Sequence, residues 1–173
     1  MLSLSDNEFS VLNFLIRNFS EKLTIRNIAK RLNFSSAGVF NILKKLEKQN
    51  IVVGEKLGTG LFYSINFENR IAEHLASVVL LYYEGAVEKV NLEQLKEAKA
   101  AILEKDNLLI ITDNITTTTM TIVGFKAVQK TEDEVIALLR KKDQAMLQVL
   151  KKGIVLFGEA NVVDIIKNCI SRF

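Results

Sequence analysis

Apolar residues recur along the first third of the chain at helical spacing. Phe9, Leu12, Leu15, Ile16 and Phe19 lie three or four positions apart, behind Ser5 with Glu8 three positions on. That arrangement predicts an amphipathic helix over 6–19 opened by a capping box. Thr24 then precedes Ile25, Ile28, Ala29 and Leu32 on one face, with Arg26, Lys30 and Arg31 on the other, which predicts a short second helix. After a brief break, Ser35 or Ser36 caps a third helix with Val39, Ile42, Leu43 and Leu46 as its apolar stripe and Lys44, Lys45 and Lys48 facing outward. The pattern next changes to β-branched and aromatic residues in "IVVGEKL" and "LFYSINF" around Gly-Thr-Gly, which predicts a tight hairpin whose glycines supply positive φ.

Residues 69–83 are apolar on nearly every helical face after 74, so a helix there is expected to be buried all round. Either the second half of the chain or a second copy would cover it. Leu92, Leu95, Ala98, Ala101 and Ile102 predict a helix over 91–104, and "NLLIITDN" predicts a strand. Threonine-rich "NITTTTMTIVGFKAV" favours a strand over a helix, its hydroxyls serving a β edge or turn rather than a phosphate. "TEDEVIALLRKKDQAMLQVL" reads as one helix, acidic first and basic later as the helix dipole prefers, followed by a "GIVLFG" strand and a closing helix. The fold class expected is α+β: three helices with a hairpin over 1–68, a linker or dimerisation helix over 69–90, and a small α/β domain over 91–173.

Composition adds bounds rather than elements. With 49% hydrophobic residues in 173, the chain can bury a core. Lone Cys169 allows no internal disulfide and reads as a core thiol, and His74 as a hydrogen-bonding residue rather than a metal ligand. The opening "MLSLSDNEF" has no basic-then-apolar targeting pattern, and the longest apolar run, "LASVVLLYY", falls short of the roughly 20 residues of a membrane span, so a cytoplasmic protein without a membrane partner is expected. No metal-ligand spacing, glycine-rich phosphate loop or activated nucleophile is evident, and no cofactor or enzymatic reaction is expected. The net charge is only +3, yet residues 20–58 hold eight cations against three anions, while 83–173 hold thirteen of each. The basic excess is local.

Three helices followed by a hairpin, with helices two and three a short turn apart, resembles the winged helix-turn-helix family over residues 4–67, especially transcriptional regulators of the MarR and archaeal type. The resemblance implies that the third helix enters a DNA major groove. Ser35, Ser36, Ala37, Phe40, Asn41, Lys44 and Lys45 would then form the groove-facing surface, with Asn41 pairing with adenine, Ala37 or Phe40 touching a thymine methyl, and the lysines neutralising phosphate. Arg26 and Lys56 would be further phosphate contacts. Phe40 and Asn41 stand where such regulators often carry Ser-Arg, and Gly-Thr-Gly replaces an arginine near the wing tip.

The segment "AMLQVLKKGIVLFGEANVVDIIKN" is similar to the end of nucleotidyltransferase-like domains fused to winged helices in archaeal proteins. That family's chemistry needs a Gly-Ser turn and two aspartates one residue apart. Here Glu159 stands in place of the serine, Asp164 lies alone beyond it, and Asp106 and Asp113 are seven apart. The implied role is a degenerate, non-catalytic domain for dimerisation, sensing or docking. The whole chain therefore reads as a homodimeric, sequence-specific transcription regulator with double-stranded DNA as partner and room for a small-molecule effector. The alternatives are a diverged nucleotidyltransferase-like or antitoxin-type protein, and a winged helix used for protein assembly.

Overall fold

The computed structural model describes residues 4–81, 90, 92–113 and 124–170. The chain forms two compact units, Met1–Val79 and Leu80–Phe173.

In the first unit, α1 (Asp6–Arg17), α2 (Ile25–Leu32) and α3 (Ser36–Lys48) enclose a core of Val11, Leu12, Leu15, Ile16, Ile28, Val39, Leu43 and Leu46, all essentially inaccessible. Each helix starts on a hydroxyl cap, because the first turn leaves N–H groups without helical acceptors. The Ser5 hydroxyl accepts from the Glu8 N–H while Glu8 accepts from the Ser5 N–H, forming the expected capping box, and Thr24 and Ser35 cap the next two helices. The α2–α3 turn is made by Asn33 in the left-handed region, with the Phe34 N–H closing on the Ala29 carbonyl.

The hairpin follows as β1 (Val52–Leu57) and β2 (Gly60–Ile65), antiparallel from Val52↔Ile65 to Leu57↔Gly60. Of the two turn glycines only Gly58 takes positive φ. The Tyr63 N–H donates to the Leu23 carbonyl at 2.9 Å, which ties the hairpin to the segment leading into α2.

Helix α4 (Arg70–Leu81) begins where expected but is not buried all round. Ala72, Ala76, Val79 and Leu80 are buried, whereas Ile71, Val78 and Leu81 are 56%, 54% and 49% exposed. Its apolar residues divide between an inward and an outward stripe, a separation that composition alone does not reveal. His74 is also exposed and makes no hydrogen bond among the described residues.

The second unit holds a four-stranded sheet in the order β5-β4-β3-β6. The helix expected over 91–104 is absent: Leu92–Leu95 is a single 3₁₀ turn and Ala100–Glu104 is strand β3. Ala98, Ala101 and Ile102 have helical spacing, but a strand covered on both faces shows an unbroken apolar run with the same residues. Strand β3 is central, pairing antiparallel with β4 (Asn107–Ile111) and β6 (Ile154–Phe157). Ala101, Leu108 and Ile110 join Val90 and Leu95 in one core layer. Ile102, Leu109 and Ile111 alternate to the opposite face.

Strand β5 (Lys126–Lys130) lies parallel to β4. The threonine run of the predicted 114–128 strand lies outside the described residues. The single helix expected over 131–150 is two, α5 (Glu132–Arg140) and α6 (Gln144–Lys152). Lys142 at φ 56° breaks the first, and Asp143 caps the second by accepting from the Met146 N–H at 2.9 Å. The periodicity survives the break, so the pattern concealed it. Helix α7 (Glu159–Ile170) closes the described chain.

Candidate nucleic-acid interface

The α2–turn–α3 arrangement presents α3 with one side in the core and the other in solvent. Val39, Leu43 and Leu46 point inward, while Ser36, Ala37, Phe40, Asn41 and Lys44 form a continuous outward stripe, Phe40 at 44% exposure. Ser35 does not share it as a free hydroxyl, since its oxygen accepts from the Gly38 N–H at 3.0 Å. A serine that caps the helix fixes where the stripe begins.

The cations divide into paired and unpaired sets. Lys22 meets Glu55 at 3.4 Å, and Lys44 meets Glu47 at 2.7 Å one turn along α3. Arg31 pairs with Glu21 and lies over the Phe14 ring at 4.6 Å. Lys45 reaches off α3 to Glu8 of α1 at 2.6 Å. Arg26, Lys30, Lys48 and Lys56 have no ion pair among the described residues, and all are exposed.

The Glu8–Lys45 pair differs in kind from the others. Glu8 is 3% exposed, whereas the carboxylates of the exposed pairs are open to water. Burial acts to raise the Glu8 carboxyl, but the hydrogen bond from Lys45, those from Ser5 and the Lys45 charge outweigh it and hold it below the usual carboxylate value. A lysine that neutralises a buried carboxylate is costly to redirect. Lys44, whose exposed pair with Glu47 is worth little, is not so bound.

Arg26 lies in the first turn of α2 and Lys56 on β1 beside the turn, so the sequence-predicted residues occupy α2, α3 and the hairpin as three adjoining features of one unit. Lys30 and Lys48 were not among the predicted site residues. Their signal was present in the sequence as outward positions on α2 and α3. At the seam between α3 and the hairpin, Tyr63 is 2% exposed and its hydroxyl has no hydrogen-bond partner among the described residues. Burial raises its phenol, with Glu47 adding to the shift and Lys44 opposing it.

This geometry, an exposed helix behind a short turn with a hairpin beside it, lies in the part of the chain that is similar to a known family. Residues 2–59 match the model of the MarR family. The match covers α1, α2, α3 and the hairpin as far as its turn, so the MarR-type segment is the part that carries the exposed α3 stripe. No curated protein matches the chain.

Elsewhere, the described residues contain no cluster of three or more His, Cys, Asp or Glu able to hold a metal ion. No helix among them is long and apolar enough to cross a membrane. Cys169 is buried on α7, and burial pushes its thiol up despite the opposing Arg140 charge.

Proposed function

We propose that the protein is a sequence-specific DNA-binding transcription regulator acting as a homodimer, with α3 in the major groove and the second unit non-catalytic. The observation that carries this reading is the outward stripe Ser36–Ala37–Phe40–Asn41–Lys44, in a segment matching the MarR family. MarR-type regulators read duplex DNA through the corresponding helix.

Asn41, exposed on α3, carries an amide able to make paired hydrogen bonds to adenine, and Phe40 and Ala37 supply apolar contact for a thymine methyl. Arg26, Lys30, Lys48 and Lys56 serve phosphate, setting affinity rather than sequence preference. Lys44 joins them by exchanging Glu47 for phosphate, and Lys45 stays with Glu8. The exposed α4 stripe of Ile71, Val78 and Leu81 supports pairing with a second copy, which would place two copies of α3 on a two-fold-related site. A non-catalytic second unit able to dimerise or to sense an effector completes the reading.

A gel-shift titration on fragments flanking the protein's own gene tests it. Binding that weakens steeply with salt, and that loses base preference in Asn41→Ala, is the expected result. No shift at low salt sinks it.

A further inference from the structure

The second unit sums to near neutrality in sequence, but its fold sorts the charges to opposite ends. Strand β4 runs parallel to β5 and antiparallel to β3, and β3 is antiparallel to β6, so β4, β5 and β6 all end at one edge of the sheet. At that edge Lys99 is held between Asp113 at 2.6 Å and Glu132 at 3.4 Å, and α5 and α7 start there, as the Asn161–Glu132 hydrogen bond shows. Asp133, Glu134 and Glu159 add further negative charge in the same first turns. This end is acidic on balance: Lys99 is held in ion pairs, and Lys130, which ends β5 opposite Ile111, stands with it against Asp113, Glu132, Asp133, Glu134 and Glu159.

The opposite end is basic. Lys105 occupies the β3–β4 turn, Lys126 starts β5 opposite Asn107, and Lys152 ends α6 one residue before β6, whose Ile154 pairs with Leu103. Helix α5 runs away from the acidic edge until Arg140 donates to the Asn168 carbonyl in the last turn of α7, which places Lys141 and Lys142 at the basic end as well. Lys105, Lys126, Lys141, Lys142 and Lys152 are exposed, and none has an ion pair among the described residues. Glu104, Asp106 and Asp143 are the acidic residues between them, and Asp143 is occupied in capping α6.

Helix dipoles account for cations just past the ends of α5 and α6. They do not account for Lys105 and Lys126, which belong to strands and their turn. Lys126, Lys105 and Lys152 cross the sheet from β5 to β6, a row of roughly 14 Å at about 4.8 Å per strand. A duplex backbone presents a continuous row of negative charge, to which such a row of cations is complementary in sign.

We propose that this basic end is a second, sequence-independent contact for the phosphate backbone of duplex DNA. It rests on the DNA-binding reading of the first unit and extends it to the second. Its role is affinity alone, because lysines on turns and strand ends reach phosphates without base edges to read.

The test uses the full chain carrying Lys→Gln at 105, 126, 141, 142 and 152, compared with the parent and with Lys48→Ala. Binding to a duplex containing the preferred site and to one of scrambled sequence is titrated against salt. The expected result is at least a tenfold loss of affinity for both duplexes at low salt, an unchanged ratio between them, and a log–log salt slope shallower by about 2 to 4. Thermal melting should match the parent, since these lysine side chains hold no ion pair among the described residues.

An unchanged slope in this variant, with Lys48→Ala still weakening binding, overturns the second contact and leaves the first-unit reading standing. A parent that binds no duplex at low salt overturns both. Unchanged DNA binding with loss of binding to phosphatidylserine vesicles, or with a change in sedimentation, also overturns it, assigning the surface to a membrane or to a second copy.

Discussion

Glu8 holds a carboxylate where almost no solvent reaches it, and the cation paired with it, Lys45, arrives from α3. Lys45 thus helps to seat α3 on α1, and on the DNA-binding reading the phosphate contacts fall to residues without such a tie. Lys45→Ala should therefore lower stability by about 2 kcal/mol in urea unfolding, less than a wholly buried pair would lose because the lysine is half exposed. Lys48→Ala should leave stability within about 0.5 kcal/mol while reducing the salt slope of DNA binding by about 0.9.

Acid titration gives a second check on the same pair. The folded carboxyl is the stronger acid, so the unfolded chain binds more protons as pH falls through the ordinary glutamate value of about 4.5. The stabilisation is complete above that value and is lost as pH falls through the lower folded value. Unfolding followed from pH 6 to pH 3 should show a slope in that window that is reduced in Glu8→Gln.

At the scale of elements, close approach rather than propensity governs the turn from β6 into α7. Gly158 has φ 76°, and a Cβ there would lie 2.1 Å from the Lys99 carbonyl oxygen. Backbone cannot yield as a flexible side chain can. Gly158→Ala should cost about 3 kcal/mol or more, read as a lowered unfolding midpoint of the second unit. The capped starts of α1, α2 and α3 were legible because a hydroxyl and the following N–H groups are neighbours in sequence. The break at Lys142 and Asp143 was not, since α5 and α6 keep a common apolar rhythm across it. Strand β3 was misread for the related reason that a buried strand and a buried helix share their composition.

For the whole molecule, α4 carries the question of assembly. Ile71, Val78 and Leu81 leave an apolar stripe in solvent, and on the dimer reading a second copy covers it. On that reading Val78→Lys should shift sedimentation toward monomer and weaken DNA binding without altering base preference. A dimer reading two half-sites one helical turn apart should protect positions about 34 Å apart along one face of the duplex.

Local rules sufficed for the parts of this protein whose causes lie within a few residues: the hydroxyl caps, the amphipathic α1, α2 and α3, the hairpin around Gly58 and the outward position of Asn41. Tertiary structure alone decided which lysine on α3 serves the fold, because Glu8 and Lys45 meet only when α1 and α3 pack. It also turned a balanced count of charges into an acidic and a basic end, since strand direction and helix placement bring together residues far apart in the chain. The difference is physical: periodicity and capping act over one or two turns, whereas burial and charge depend on which surfaces the packed chain leaves to water.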